Sequence, residues 1–329
     1  MDEYIGRINV SKDTMLFVVN SVLKQGIKEI TTKENILKMI PEIYENADSK
    51  EIIKLLPYKT YIVLEQLMEY IKTSDDIKEF FYKSEYKCVK YLEEAMIIVC
   101  RAKHMEYNYS LNPGVVEKLY KLFSEENKIL AKRYGRIEEL TKGMLYSYGV
   151  VEFNFLRTQI CKYMNEIISG DELYDIYFKR LNLNLEVNYY NVRWTNTNQE
   201  QEFVTYLDED EIDVGYIVDE QKARGLKYKV FKEQEILNRK EYLWDELTKR
   251  LYEYIKTKNK NVWEYPFQRI IKKSELGEDI LRDLMDKCIF ENEYDAKKFM
   301  ELFIEWYNNS PQYQLGGYSP IEFKKMIKD

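Results

Sequence analysis

Ile137-Glu138-Glu139-Leu140-Thr141-Lys142-Gly143-Met144-Leu145-Tyr146-Ser147-Tyr148 opens the stretch, Arg136 to Glu220, on which the reading of the whole chain turns. Its apolar residues Ile137, Leu140, Met144, Leu145 and Tyr148 recur at helical spacing, and Gly149 stands where a helix ends. Phe153, Leu156, Ile160 and Met164 share one face of a second helix. Ser169-Gly170-Asp171-Glu172 has the polar cap and first-turn acids of a third helix, which runs to about Leu181. The period then changes. Leu185 to Trp194 is rich in β-formers, Thr195-Asn196-Thr197-Asn198 is turn chemistry, and Glu202 to Leu207 is a second strand.

Three helices followed by a hairpin is the order of a winged helix, a variant of the helix-turn-helix that reads DNA. Charge opposes that use. Arg136 to Glu220 holds 7 Lys+Arg against 17 Asp+Glu, a net of −10, and Asp208-Glu209-Asp210-Glu211-Ile212-Asp213 supplies five of the acids. Duplex binding draws much of its affinity from neutralised phosphates, so an acidic face repels it. Arg157, Lys162, Lys179, Arg180 and Arg193 are the cations left to form a local patch.

The chain has 329 residues, enough for two or three domains with real cores. Charged residues make up 33% and hydrophobic ones 45%, a globular balance. A net charge of −7 argues against wholesale binding to nucleic acid or anionic membrane. Cys88, Cys100, Cys161 and Cys288 are scattered without a C-x-x-C pair, and His104 is the single histidine. A conventional zinc site is therefore not expected, and the cysteines read as small buried hydrophobes of a reducing compartment. His104 falls on a turn without a partner for acid–base work. The acidic start Met1-Asp2-Glu3-Tyr4 opens no signal peptide, and no apolar run approaches a membrane span. A cytoplasmic protein is expected.

Residues 11–56 read as short helices: Met15 to Lys24, Ile36 to Asn46 and Lys50 to Leu56. They resemble the helix-extended-loop-helix modules at the front of many bacterial proteins, including the Rho-terminator N-terminal type, although that type's glycine and lysine marks are mostly absent. Pro57 begins a second helix–hairpin series. Helices are expected over Tyr58 to Ile71, Ile77 to Tyr82 and Ser84 to Glu94. Met96 to Cys100 and Met105 to Leu111 form the hairpin, and Val115 to Phe123 is a closing helix. The two series share a pattern without residue-level repetition.

Lys222-Ala223-Arg224-Gly225-Leu226-Lys227-Tyr228-Lys229-Val230-Phe231-Lys232 carries five cations and no acid, with Tyr228 and Phe231 interleaved. Cations between aromatic rings suit a single strand, held through phosphates and stacking. They equally suit a segment folded back on the Asp208–Asp213 acids, and that intramolecular pairing is the favoured reading. A second basic-aromatic segment, Lys256 to Lys273, contains Trp263, Tyr265, Phe267, Lys272 and Lys273. Residues 221–329 hold 22 Lys+Arg against 19 Asp+Glu, while residues 1–135 balance at 21 and 21, so any nucleic-acid surface belongs to the last third. That third is otherwise a bundle of three amphipathic helices: Glu233 to Thr257, Ser274 to Phe290 and Tyr294 to Tyr307.

The ending Trp306-Tyr307-Asn308-Asn309-Ser310-Pro311-Gln312-Tyr313-Gln314-Leu315-Gly316-Gly317-Tyr318-Ser319-Pro320-Ile321-Glu322-Phe323 has a tight Gly-Gly turn and a proline-started helix. It is similar to the segment that closes retroviral-type transposase domains. It departs from them at Ser310-Pro311-Gln312, where they have Arg-Pro-His, and upstream it lacks the metal-holding carboxylate sheet. Nearly the whole chain resembles a set of low-GC-bacterial proteins, some of which carry a zinc-binding SEC-C tail. The resemblance rests on the Leu56-Pro57 helix, Gly143 to Val151, Lys227 to Phe231 and the Asn-Asn-x-Pro…Gly-Tyr-x-Pro ending. It implies the architecture and brings no established activity. The cysteine-rich tail is missing, so no metal is implied.

The expected fold class is α+β, predominantly α. The expected segments are short helices over 1–56, a winged-helix-like unit over 57–135, a second, acidic one over 136–220 and a helical bundle over 221–329. The expected function is a non-catalytic binding or regulatory protein acting through protein–protein contacts. No catalytic residue, metal or cofactor is called for. The alternative is nucleic-acid binding through Lys222, Arg224, Lys227, Lys229, Lys232, Lys272 and Lys273.

Overall fold

The computed structural model describes residues 7–73, 77–103, 106–112, 114–181, 187–192, 202–207, 214–225, 227–238, 245–258, 277–286 and 288–327. The fold is mixed α+β and mostly helical. It divides into two compact units. One comprises Met1–Glu138 with Ile168–Leu185, the other Glu139–Ile167 with Glu186–Asp329.

In the first unit, Ser11 caps α1 (Lys12–Leu16) through the Thr14 amide, and the chain continues as a π-helical turn over Phe17–Val22. Thr32 caps α2 (Lys33–Asn46) and Asp48 caps α3 (Ser49–Leu55). Their apolar stripes, with Met15, Val18, Ile36, Ile40, Ile52 and Ile53, are fully buried. Then come α4 (Tyr58–Tyr70), α5 (Ile77–Lys83) and α6 (Tyr86–Glu94). β2 (Ile98–Lys103) and β3 (Glu106–Leu111) form the expected hairpin, paired from Ile98 with Leu111 to Lys103 with Glu106.

Two details differ from the sequence reading. Met96 does not start the strand; it sits in the left-handed region with φ 57° and ends α6, where its amide bonds to the Glu93 carbonyl. A third strand, β1 (Arg7–Ile8), pairs with β2, giving the order β1-β2-β3. Lys33 fastens it by donating to the Ile8 and Val10 carbonyls at 3.2 and 2.6 Å. After α7 (Val115–Leu119) and a 3-10 turn over Tyr120–Phe123, Tyr61 donates to the Leu122 carbonyl at 2.7 Å and locks the turn to α4.

The helix expected to begin at Ile137 begins at Glu125. α8 (Glu125–Tyr148) is continuous across residues 135 and 136, because its apolar period runs unbroken from Ala131 and Tyr134 into Ile137 and Leu140. α10 (Gly170–Leu181) is counted with the first unit. It buries Leu173 and Ile176, packs on α3, and joins it through Lys54–Asp175 at 3.5 Å. Arg133 grips Glu172 through both guanidinium nitrogens at 2.6 and 3.4 Å.

In the second unit, β4 (Val150–Glu152) follows α8, and α9 (Phe153–Met164) follows β4. β5 (Val187–Val192) and β6 (Glu202–Leu207) pair antiparallel, and β4 adds to β6, so the sheet order is β4-β6-β5. α11 (Val214–Ala223) packs on β4 through Val214, Ile217 and Val218.

The expected long helix from Glu233 is interrupted. α12 (Glu233–Leu237) ends at Asn238, and α13 spans Glu246–Lys258. The interruption separates the apolar stripe: Leu251 and Ile255 enter the bundle, while Ile236 packs against Gly143 of α8 instead. The bundle core joins α13 to α14 (Gly277–Asp286) and α15 (Glu293–Asn309) through Leu251, Ile255, Leu284, Phe299, Phe303 and Trp306. The indole of Trp306 donates to the Thr248 hydroxyl at 3.2 Å, which satisfies a polar group that burial would otherwise penalise. A 3-10 turn (Tyr313–Leu315) and α16 (Pro320–Met326) complete the unit. Ser319 and Glu322 make a reciprocal capping box on α16.

Candidate functional site

The segment 222–232 is where the sequence places a nucleic-acid surface, and most of it is engaged within its own unit. Lys222 lies at the end of α11, and Arg224 pairs with Glu220 one turn back and lies over the Phe323 ring at 5.8 Å. From residue 227 to 232 the chain has no regular secondary structure. The Lys229 amide donates to the Gly316 carbonyl at 3.0 Å, and its ammonium meets Glu322 at 2.6 Å. Lys232 gives its amide to Glu235 at the start of α12. Lys227 and Lys232 are exposed. Lys272 and Lys273, with most of 256–273, lie outside the described residues, as do His104 and the Asp208–Asp213 acids.

The two rings offered for base stacking are used elsewhere. Tyr228 lies 4.6 Å from Phe155 and 5.4 Å from Tyr148, centroid to centroid, and Phe231 lies 5.5 Å from Tyr148. Phe231 is buried. The hydroxyl of Tyr148 donates to the Lys229 carbonyl at 2.5 Å, and that of Tyr163 to the Phe231 carbonyl at 2.7 Å. Glu152 donates its amide to the Tyr228 oxygen at 3.2 Å. Residues 227–231 thus form a strap clasped between α8, α9 and the turn before α16. Among the described residues, Glu220 holds Arg224 and Glu322 holds Lys229; the expected pairing with the Asp208–Asp213 acids lies outside the described residues.

Burial pushes the Glu322 carboxyl up. Hydrogen bonds from Lys229 and the Ser319 backbone outweigh that, and the group sits below the ordinary carboxylate range. A lowered folded pKa gives stability that is present above the unfolded value and lost as pH falls through the folded one. Lys229→Ala is therefore expected to cost about 0.5–1 kcal/mol at pH 7, a small figure because both partners are partly solvated. The difference from wild type should vanish in urea melts run at acid pH where Glu322 is protonated.

A second feature has no counterpart in the sequence reading. A groove runs between α4 and α5. Two adjoining hollows, of about 400 and 530 Å³, share Gln66, Tyr70 and Phe80. The first is also lined by Lys59, Val63, Glu79, Lys83, Ser84 and Glu85, the second by Glu65, Glu69 and Thr73. The rings of Tyr70 and Phe80 meet at 5.3 Å. Ion pairs rim it: Lys59–Glu85, Lys83–Glu79 at 2.5 Å, Lys72–Glu69 at 2.6 Å and Lys128–Glu65 at 2.8 Å. Tyr82 and Tyr86, on α5 and α6, are 88% and 73% exposed.

The third feature is a pair of buried carboxylates at the end of α6. Glu93 and Glu94 are 2% and 7% exposed. They share one cation, Lys90, at 3.8 and 3.9 Å, beyond hydrogen-bond reach. Asn9 donates to Glu93 at 2.7 Å, whereas Oε2 of Glu94 has no hydrogen-bond partner among the described residues. Burial raises both groups, Glu94 to about 7, against the pull of Lys90.

Among the described residues, no three or more His, Cys, Asp or Glu side chains are grouped to hold a metal ion, and no helix is long and apolar enough to cross a membrane. The four cysteines form no disulfide. No family model, curated protein or solved structure matches the chain.

Proposed function

We propose that the chain is a non-catalytic binding or regulatory protein that works through protein contacts. One observation carries the reading. Cations and rings of the most basic stretch are used to close its own unit, while Tyr82 and Tyr86 stand exposed on α5 and α6, and Val63, Tyr70 and Phe80 line a groove with a charged rim. An apolar centre, a polar rim and surface tyrosines are the composition of protein interfaces.

The β4-β6-β5 order, with α8 before it and α9 and α10 inside the β4-to-β5 connection, supports a winged-helix-like reading of 136–220. In chain order alone α10 stands where such a unit has its recognition helix, and it is counted with the first unit. Here its acids Glu172 and Asp175 are paired with Arg133 and Lys54, which suits a scaffold better than a DNA reader. The hairpin of 57–135 supports the same reading less well, since its third strand comes from Arg7–Ile8.

The test is chemical crosslinking in cells that make the tagged full chain, followed by affinity capture. One or a few crosslinked proteins in reproducible stoichiometry are expected; recovery of the chain alone at every crosslinker dose overturns the reading. A second reading, nucleic-acid binding, keeps the support of exposed Lys227, Lys232, Lys324 and Lys325. It requires a salt-dependent probe shift that Lys222/Arg224/Lys227/Lys229→Ala abolishes.

A further inference from the structure

Glu93 and Glu94 set up a charge balance that a proton completes. Both carboxyls are buried, and among the described residues the cation that serves both is Lys90, at 3.8 and 3.9 Å. Two carboxyls and one ammonium are neutral together only while one carboxyl stays protonated. Glu94 is the place for that proton. Its Oε2 has no hydrogen-bond partner among the described residues, whereas Glu93 accepts from the Asn9 side chain at 2.7 Å.

The groups packed around the pair supply no second charge near neutral pH. Cys100 of β2 and Tyr109 of β3 are opposite one another in the hairpin, and burial raises both, the thiol to about 11. Arg101 of β2 is gripped by Glu34 of α2 at 2.7 and 3.0 Å. Tyr44, also of α2, donates its hydroxyl to the carbonyl of Ala95 and is raised by burial too. Lys59 of α4 and Glu138 of α8 act on Cys88, earlier in α6. Glu94, raised to about 7, is the group that changes charge in the neutral range.

The pair is tied to the shortest strand of the sheet. Asn9 follows β1 directly, and besides its side-chain bond to Glu93 it gives its backbone amide to the Cys100 carbonyl at 3.0 Å. β1 pairs with β2 at two positions, Arg7 with Ala102 and Ile8 with Arg101, whereas β2 pairs with β3 at six. A short edge strand opens far more readily than the hairpin it lies on. Asn9 is exposed, so it can leave Glu93 without unpacking the core.

We propose that Arg7–Ile8 is a pH-gated strand. While the Glu93–Glu94 pair keeps its proton, Asn9 latches β1 to β2. When the proton leaves, Lys90 faces two carboxylates. Water admitted where Asn9 stood relieves the surplus charge, and β1 detaches and bares the β2 backbone at Arg101 and Ala102. The gate turns a covered sheet edge into an unpaired one. The closed state holds a proton that the open state releases, so closure is fully supported below pH 4.5 and loses that support as pH rises through about 7.

Hydrogen–deuterium exchange of the full chain tests the gate, read as protection factors so that the intrinsic pH dependence of exchange cancels. Protection of residues 7–10 should fall about tenfold between pH 6 and pH 8 and level off above, the change linkage gives when a closed-state value of about 7 returns to 4.5 on opening. That protection should not change in about 1 M urea, because a local opening exposes little surface, while protection of β3 should fall. Glu94→Gln should leave 7–10 equally protected at both pH values. Asn9→Ala should bring the pH 6 protection down to about the pH 8 level. A wild-type profile flat in pH overturns the gate, as does a step that survives Glu94→Gln or Asn9→Ala. Urea dependence at 7–10 equal to that of β3 also overturns it, since the strand would then open only when the whole sheet does.

Discussion

Replacing Gly143 by alanine or valine is expected to prevent the second unit from closing. A Cβ built there would lie 2.1 Å from the Ile236 carbonyl oxygen and 2.8 Å from the carbonyl carbon. The obstacle is backbone, so no rotamer change relieves it, and α12 would have to leave α8. Gly149 is equally constrained. Its φ is +68°, and an added Cβ would sit 2.2 Å from the Tyr313 ring. Each substitution should cost about 3–5 kcal/mol, the range reached when overpacking and backbone strain combine. Urea unfolding and limited proteolysis of the full chain should show the second unit opening first.

Two glycines serve as controls. Gly225 has φ +60° and open space around it, so Gly225→Ala should show the cost of strain alone, about 1–2 kcal/mol. Gly26 has neither constraint, and Gly26→Ala should be close to neutral. If Gly143→Ala melts like Gly26→Ala, the close approach of α12 to α8 is wrong.

Glu94→Gln should stabilise the first unit above neutral pH. The folded pKa of Glu94 is raised to about 7 from an ordinary 4.5. The folded state therefore keeps a proton that the unfolded state releases. Its contribution is full below pH 4.5 and is lost as pH rises through about 7. At pH 8 the wild type buries an ionised carboxylate with one oxygen unpartnered, and an amide in the same place costs less to desolvate. The gain from Glu94→Gln should be about 1–3 kcal/mol at pH 8 and should shrink toward zero near pH 5. Denaturant melts of both proteins at pH 5, 6, 7 and 8 measure it. A constant offset across that range would show that Glu94 titrates as an ordinary surface acid. Glu93→Gln should gain less, because the Asn9 amide and Lys90 already compensate its charge.

The helices were legible wherever one apolar stripe dominated the window: 58–70, 153–164, 170–181 and 293–309 all stand where their periodicity put them. The strands Arg7–Ile8 and Val150–Glu152 were not, since two or three residues are too few to display a period of two. The break at Asn238 was hidden because Ile236 and Leu251 continue one stripe on paper while packing in different places.

The strap at 227–231 was ambiguous for a similar reason. Tyr228, Lys229 and Phe231 have the composition of a stacking platform, and only their neighbours decide which rings face solvent. The groove was present in the sequence as Lys59, Val63, Gln66 and Tyr70, but Leu64, Leu67 and Met68 give the stronger signal on the same helix. Glu93-Glu94 at a helix end reads as a solvated terminus. In the fold both are buried, and Glu93 takes a hydrogen bond from Asn9, more than 80 positions away.

The position of Tyr313 has a consequence for how the chain is made. Its ring lies against Gly149, and its hydroxyl reaches to 3.5 Å from the Tyr146 carbonyl, a separation of 167 positions. Gln221 then clamps its carbonyl at 2.8 Å. During synthesis, at about 5–20 residues per second, the end of α8 emerges roughly 8–30 seconds before the tyrosine that covers it. Until Tyr313 arrives Val150, and then Ile217 and Val218 once they are made, lack part of their apolar cover. The second unit is therefore expected to complete its fold only after Tyr313 has been made. The nascent segment around Gly149 would be the place where a chaperone binds, or where a stalled chain begins to aggregate.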